Sequence, residues 1–86
     1  MLETPPQATP PVNPLTPEDL KLLGNNFIYH PPKPGQTEKY QILRDKAREL
    51  AELYLRLCPP SRERSVALTE LETSNFWANA AIARNE

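Results

Sequence analysis

One cysteine, Cys58, and one histidine, His30, are all this chain has of the side chains that staple small proteins. No disulfide can close within it, and no His/Cys zinc cluster can form. With two glycines, Gly24 and Gly35, it lacks material for a phosphate-cradling loop, and no GxSxG, HExxH or GxxxxGK[ST] stretch occurs. The clustered carboxylates or paired histidines of metal-assisted phosphodiester hydrolysis are missing too. The expectation is therefore a binding protein and not an enzyme, with no catalytic residue, metal or cofactor assigned. A basic surplus is also lacking. Ten Lys and Arg against eleven Asp and Glu give a net charge of −1, which argues against binding duplex DNA or RNA and leaves room for a local anion site. The longest uncharged apolar-leaning run, Thr73 to Ala83, is too short to cross a bilayer, and the N-terminus lacks the basic-then-apolar order of a secretory signal. A soluble, intracellular protein without a membrane partner is expected.

What the chain does contain is 38% hydrophobic and 24% charged residues over 86 positions, too apolar for disorder throughout yet lean for a monomeric core. A domain of this size rarely draws more than about 3–5 kcal/mol from its own core. Self-association is the staple that remains. Proline is abundant, and six of the eleven prolines fall within Met1 to Pro17, so residues 1–15 read as an extended, flexible, solvated tail. Residues 16–36 read as a short helix and a Pro-rich loop, and 37–86 as a helical hairpin.

Local signals support that division. Thr16 suits an N-cap, Pro17 the first helical position, Glu18 and Asp19 the positive end of the dipole, and Gly24 a left-handed stop. Phe27-Ile28-Tyr29-His30-Pro31-Pro32-Lys33-Pro34-Gly35 cannot be helical and is too apolar at its start to be left in water. From Thr37, the residues Tyr40, Leu43, Ala47, Leu50, Tyr54 and Leu57 form a heptad-type stripe. Cys58-Pro59-Pro60 ends that helix and Ser61 caps the next, which makes the two antiparallel. The second long helix carries Leu68, Leu71, Asn75, Ala78 and Ile82 on one face, with Phe76, Trp77, Ala80 and Ala81 off that line. A hairpin has one inner face, so the excess apolar surface predicts an all-α unit assembled as a symmetric homo-oligomer.

Tyr29, His30, Lys33, Lys39, Tyr40, Arg44 and Arg48 lie near one another along the chain, with Tyr40, Arg44 and Arg48 on one line of the helix. Aromatic faces, guanidinium forks and a helix N-terminus suit a phosphorylated nucleobase ligand. The plain alternative is that Arg44 and Arg48 pair with Asp45, Glu49 or Glu52 on a solvated face while Tyr40 is core. Asn75 and Asn79 could read a base edge or set bundle register. His30 alone reads as a loop hydrogen-bonder, Cys58 as a small buried hydrophobe and Trp77 as an interface or core anchor.

Five ordered blocks carry a resemblance: Phe27-Ile28-Tyr29-His30-Pro31-Pro32-Lys33; Ala47-Arg48-Glu49-Leu50-Ala51; Cys58-Pro59-Pro60-Ser61-Arg62-Glu63; Ala67-Leu68-Thr69-Glu70-Leu71-Glu72; and Phe76 to Asn85. Together they resemble the helical-hairpin domain shared by phage anti-CBASS protein 2 and Thoeris anti-defence protein 1. The resemblance implies a homohexameric sponge, acting in the cytoplasm of the infected bacterial host, that binds cyclic oligonucleotide messengers without cleaving them. It implies one pocket between subunit pairs for cyclic dinucleotides such as cGAMP, and another at a three-fold junction for cyclic trinucleotides. By that resemblance Tyr29 stacks on a base, Arg44 faces a phosphate and Arg84 contacts phosphate at the three-fold site, with His30, Lys33 and Lys46 as further ligand-binding candidates. As no β-rich domain precedes the hairpin, the anti-CBASS type is expected over the Thoeris type and its cyclic ADP-ribose-like signal. A structural or adaptor hairpin that binds a protein partner is the rival reading.

Overall fold

The computed structural model describes residues 12–86, so most of the expected flexible tail, residues 1–11, lies outside the described residues. Three helices and no strand make up the described residues: α1 (Pro17–Asn26), α2 (Gln36–Leu57) and α3 (Arg62–Asn85). The start of α1 is built as its sequence dictates. Asp19 N–H donates to Thr16 Oγ1 at 3.0 Å while Thr16 N–H donates to Asp19 Oδ2 at 2.9 Å, a reciprocal capping box. Its end differs from expectation. Gly24 does not stop the helix; α1 continues to Asn26, and Gly35 is the one residue with positive φ among those described. The last turn is satisfied without a left-handed residue: Phe27 N–H donates to Leu23 C=O at 3.2 Å and the His30 ring Nε2 donates to Asn25 C=O at 2.6 Å.

Gly35, at φ 85°, instead turns the chain into α2, which begins at Gln36, one residue before the expected start at Thr37. At the far end of α2 the Pro59–Pro60 pair prevents continuation, and the exposed carbonyls are taken up across the turn. Arg64 Nη1 donates to Leu55 C=O and Cys58 C=O, both at 3.3 Å, while Ser61 Oγ accepts Arg64 N–H at 3.1 Å as the α3 N-cap. At the opposite end of the pair Gln36 and Lys39 reach Ile82 and Glu86. Contacts at both ends between opposite termini make α2 and α3 antiparallel.

The face of α2 that meets α3 is a corrected version of the expected stripe. Tyr40, Leu43, Ala47, Ala51, Tyr54 and Cys58 are half-buried, whereas Leu50 lies at the seam's edge and Leu57 turns outward to 77% exposure. An α-helix of about 3.6 residues per turn returns to the same direction after about eighteen residues, which aligns Tyr40 with Cys58 and carries Leu57 off the seam. A strict heptad reading missed that drift. On α3, Leu68, Leu71, Asn75, Ala78 and Ile82 are half-buried, as their spacing predicts.

Among the described residues no apolar side chain is fully buried; Gln36, at 3% exposure, is the sole buried residue. The radius of gyration is 21.2 Å, against about 12 Å for a globule of this length. Only α2 and α3 pack substantially on one another. No helix among the described residues is long and apolar enough to cross a membrane.

Candidate functional site

Two arginines one helical turn apart, Arg44 and Arg48, border a cavity of about 300 Å³ on one flank of the α2–α3 seam. Its floor is largely apolar, formed by Ala47 and Ala51 of α2 with Leu68, Leu71 and Phe76 of α3, and Glu72 and Asn75 of α3 complete the lining. A second cavity of about 300 Å³ continues toward the start of α2 between Tyr40, Arg44, Asn79, Ala80 and Ala83. Arg44 borders both. Among the described residues neither Arg44 nor Arg48 forms an ion pair, and Arg44 donates to Gln41 Oε1 at 3.1 Å. The neighbouring acids are not engaged with them: Glu49 pairs with Lys46 at 3.2 Å, Glu52 with Arg56 at 3.0 Å, and Asp45 accepts from Gln41. The expected alternative, in which those carboxylates neutralise the arginines, is therefore not the arrangement formed. Asn79 adds a polar atom to this edge, since its Oδ1 is buried and has no hydrogen-bond partner.

The six residues singled out from the sequence fall in separate places. Tyr29, His30 and Lys33 share the loop between α1 and α2; Tyr29 is 80% exposed, His30 is held by Asn25 C=O, and Lys33 Nζ reaches the main-chain oxygen of Glu86. Arg44 lies on the flank just described. Lys46 lies on the opposite flank, beside a cavity of about 230 Å³ lined by Leu43, Leu50, Leu71 and Asn75 among others. Arg84 sits further around α3, with its guanidinium carbon 5.8 Å from the centre of the Trp77 ring, a cation–π stack beside Phe76. Within one chain the loop, Arg44 and Arg84 thus do not line a common cavity.

A charged cluster joins the loop to the end of α3. Lys39 Nζ contacts both carboxylate oxygens of Glu86, at 2.7 and 2.8 Å. The Lys39 hydrogen bond holds the Glu86 carboxyl below its ordinary range; desolvation opposes this, and attraction to Lys39, the nearby polar Gln36 amide and attraction to Lys33 reinforce it. Sequence reasoning missed Gln36 in this cluster. The available signal was Lys33 as the sole amide donor in a proline run, followed three residues on by a glutamine.

Fold and site together define a class: an open helical hairpin, without a closed core among its described residues, that displays unpaired cations and aromatics along its sides. The chain belongs to the Acb2/Tad1 hairpin domain family, whose family model matches residues 21–83 and so takes in the end of α1, the loop, α2 and nearly all of α3. Comparisons with curated proteins and with solved structures gave no match.

Proposed function

We propose that this chain is a phage anti-defence sponge, which binds cyclic oligonucleotide second messengers without cleaving them and so blocks CBASS signalling in the host cytoplasm. Family membership over residues 21–83 is the observation that carries the reading. The chemistry at hand agrees with it, because Arg44 and Arg48 form no ion pair among the described residues and outnumber the single carboxylate on the cavity lining, Glu72, beside a largely apolar floor that suits a base attached to a phosphodiester. In this reading the chain assembles as a homohexamer, takes cyclic dinucleotides such as cGAMP between subunit pairs with Tyr29 stacking and Arg44 facing phosphate, and takes cyclic trinucleotides at a three-fold junction near Arg84. Tyr29 and Arg44 lie on separate surfaces of one chain, so in this reading a neighbouring copy completes the dinucleotide pocket.

Calorimetry of the full chain with a panel of cyclic di- and trinucleotides tests the proposal. Binding, with the ligand recovered intact after denaturation, is the expected result; linear products would replace the sponge with a nuclease. Because the family name joins two anti-defence proteins, a cyclic ADP-ribose compound belongs in the panel, and binding of that ligand alone would favour the Thoeris reading. No binding by any member would favour an adaptor hairpin acting through exposed Phe76 and Trp77.

A further inference from the structure

Proline governs how the chain passes from α1 to α2. In Pro31-Pro32-Lys33-Pro34 the Lys33 amide is the one main-chain donor, because proline has no N–H. Gln36 takes it. Its side-chain Oε1 accepts Lys33 N–H at 2.9 Å, and its own N–H donates to Lys33 C=O at 3.0 Å. The other end of the same amide, Nε2, donates to Ile82 C=O at 3.4 Å in the last turn of α3. This side chain belongs to the sole buried residue among those described, in a hairpin where no apolar side chain is fully buried. Burying an amide is unfavourable unless both its donor and acceptor are used, and here both are.

We propose that Gln36 is the positioning residue of the Tyr29–Lys33 loop: its amide fastens the proline rod to α3 and thereby fixes the direction in which Tyr29 is presented. Its functional meaning rests on the sponge reading above. Pro31 and Pro32 have pinned φ, so an orientation set at Lys33 is carried stiffly back to Tyr29, roughly 12 Å away at the polyproline rise. Tyr29 is 80% exposed and is not held by its own packing. A stacking ring already held in place loses less freedom when a ligand arrives, so the latch acts on affinity without touching the ligand.

The test uses the full chain with Gln36→Met, which keeps side-chain length and removes both hydrogen bonds, and Gln36→Glu, which retains an acceptor for Lys33 but has no donor for Ile82 at neutral pH. Without ligand, the Lys33 amide of Gln36→Met should exchange with solvent roughly tenfold faster than in the wild type, while Gln36→Glu stays protected. Unchanged exchange in Gln36→Met overturns the proposal. So does fast exchange in both variants, which would indicate general loosening. With a cyclic dinucleotide, Gln36→Met should bind about three- to tenfold more weakly, and that loss should disappear in a Tyr29→Ala background because both changes act on one contact. An additive loss would show that Gln36 does not act through Tyr29. If the wild type binds no cyclic nucleotide, the sponge reading fails by itself, and the ligand-free exchange still decides whether the latch exists.

Discussion

Arg44 and Tyr29 are expected to fail in different ways when removed, because one supplies charge and the other a ring face. Tyr29→Ala should cost about 1–3 kcal/mol per stacked base and leave the salt dependence of dinucleotide binding nearly unchanged. If the proposed sponge reading holds, Arg44→Ala should weaken binding and flatten its dependence on salt, since the proposed phosphate contact and the counterions it would displace are lost. Calorimetry across a salt series separates the two; equal flattening by both variants would refute the assignment. Glu86 supports a pH prediction. Its folded-state carboxyl lies below the ordinary glutamate range, so its contact with Lys39 contributes fully above that range and is lost as pH falls through the lowered value. Thermal midpoints of the wild type should therefore fall more steeply on acidification below about pH 4.5 than those of Glu86→Gln. The pair is exposed, which keeps the difference small, and parallel profiles would remove Glu86 from the account.

Among the elements, the two glycines offer a controlled contrast. A Cβ at either position would meet nothing within 4 Å, so only backbone conformation distinguishes them. Gly24 lies inside α1 with an ordinary helical backbone, and Gly24→Ala should favour that helix by about 1 kcal/mol. As α1 does not pack substantially on α2 or α3, the gain should appear as helical content in circular dichroism and not in the hairpin's melting. Gly35 holds φ 85°, where an L side chain is strained, and Gly35→Ala should destabilise the α2 entry by about 1–2 kcal/mol. A rise in midpoint for Gly35→Ala would contradict the turn geometry. Both ends of the α2–α3 pair are tied by polar groups, Arg64 at one and Gln36 at the other, so the hairpin's alignment rests on its termini as much as on its seam.

At the scale of the whole molecule, no apolar side chain is fully buried among the described residues, and the proposed assembly would supply the missing burial through contacts between copies. Phe76 and Trp77 are each 63% exposed, a large apolar surface for water to face. The melting temperature should accordingly rise with protein concentration, and light scattering at micromolar concentration should give a multiple of the chain mass. A well-folded monomer with a concentration-independent midpoint would refute assembly. Removing residues 1–14, which contain few large apolar side chains, should leave that mass multiple unchanged.

By itself the sequence determined the three helices, the caps at Thr16 and Ser61, the antiparallel turn at Pro59–Pro60 and the inner face of α3, because each depends on neighbours within a turn or two. It carried the family as well, through ordered blocks that the match over residues 21–83 now supports. Only the tertiary structure decided that Cys58 in place of Leu57 closes the α2 seam and that Ala51 is more buried there than Leu50, since that choice depends on accumulated helical twist against a partner. The same holds for the His30 contact at the end of α1, and for Gln36 reaching Ile82. A donor and acceptor separated by forty-six positions meet only once the hairpin closes, and no local pattern records that meeting.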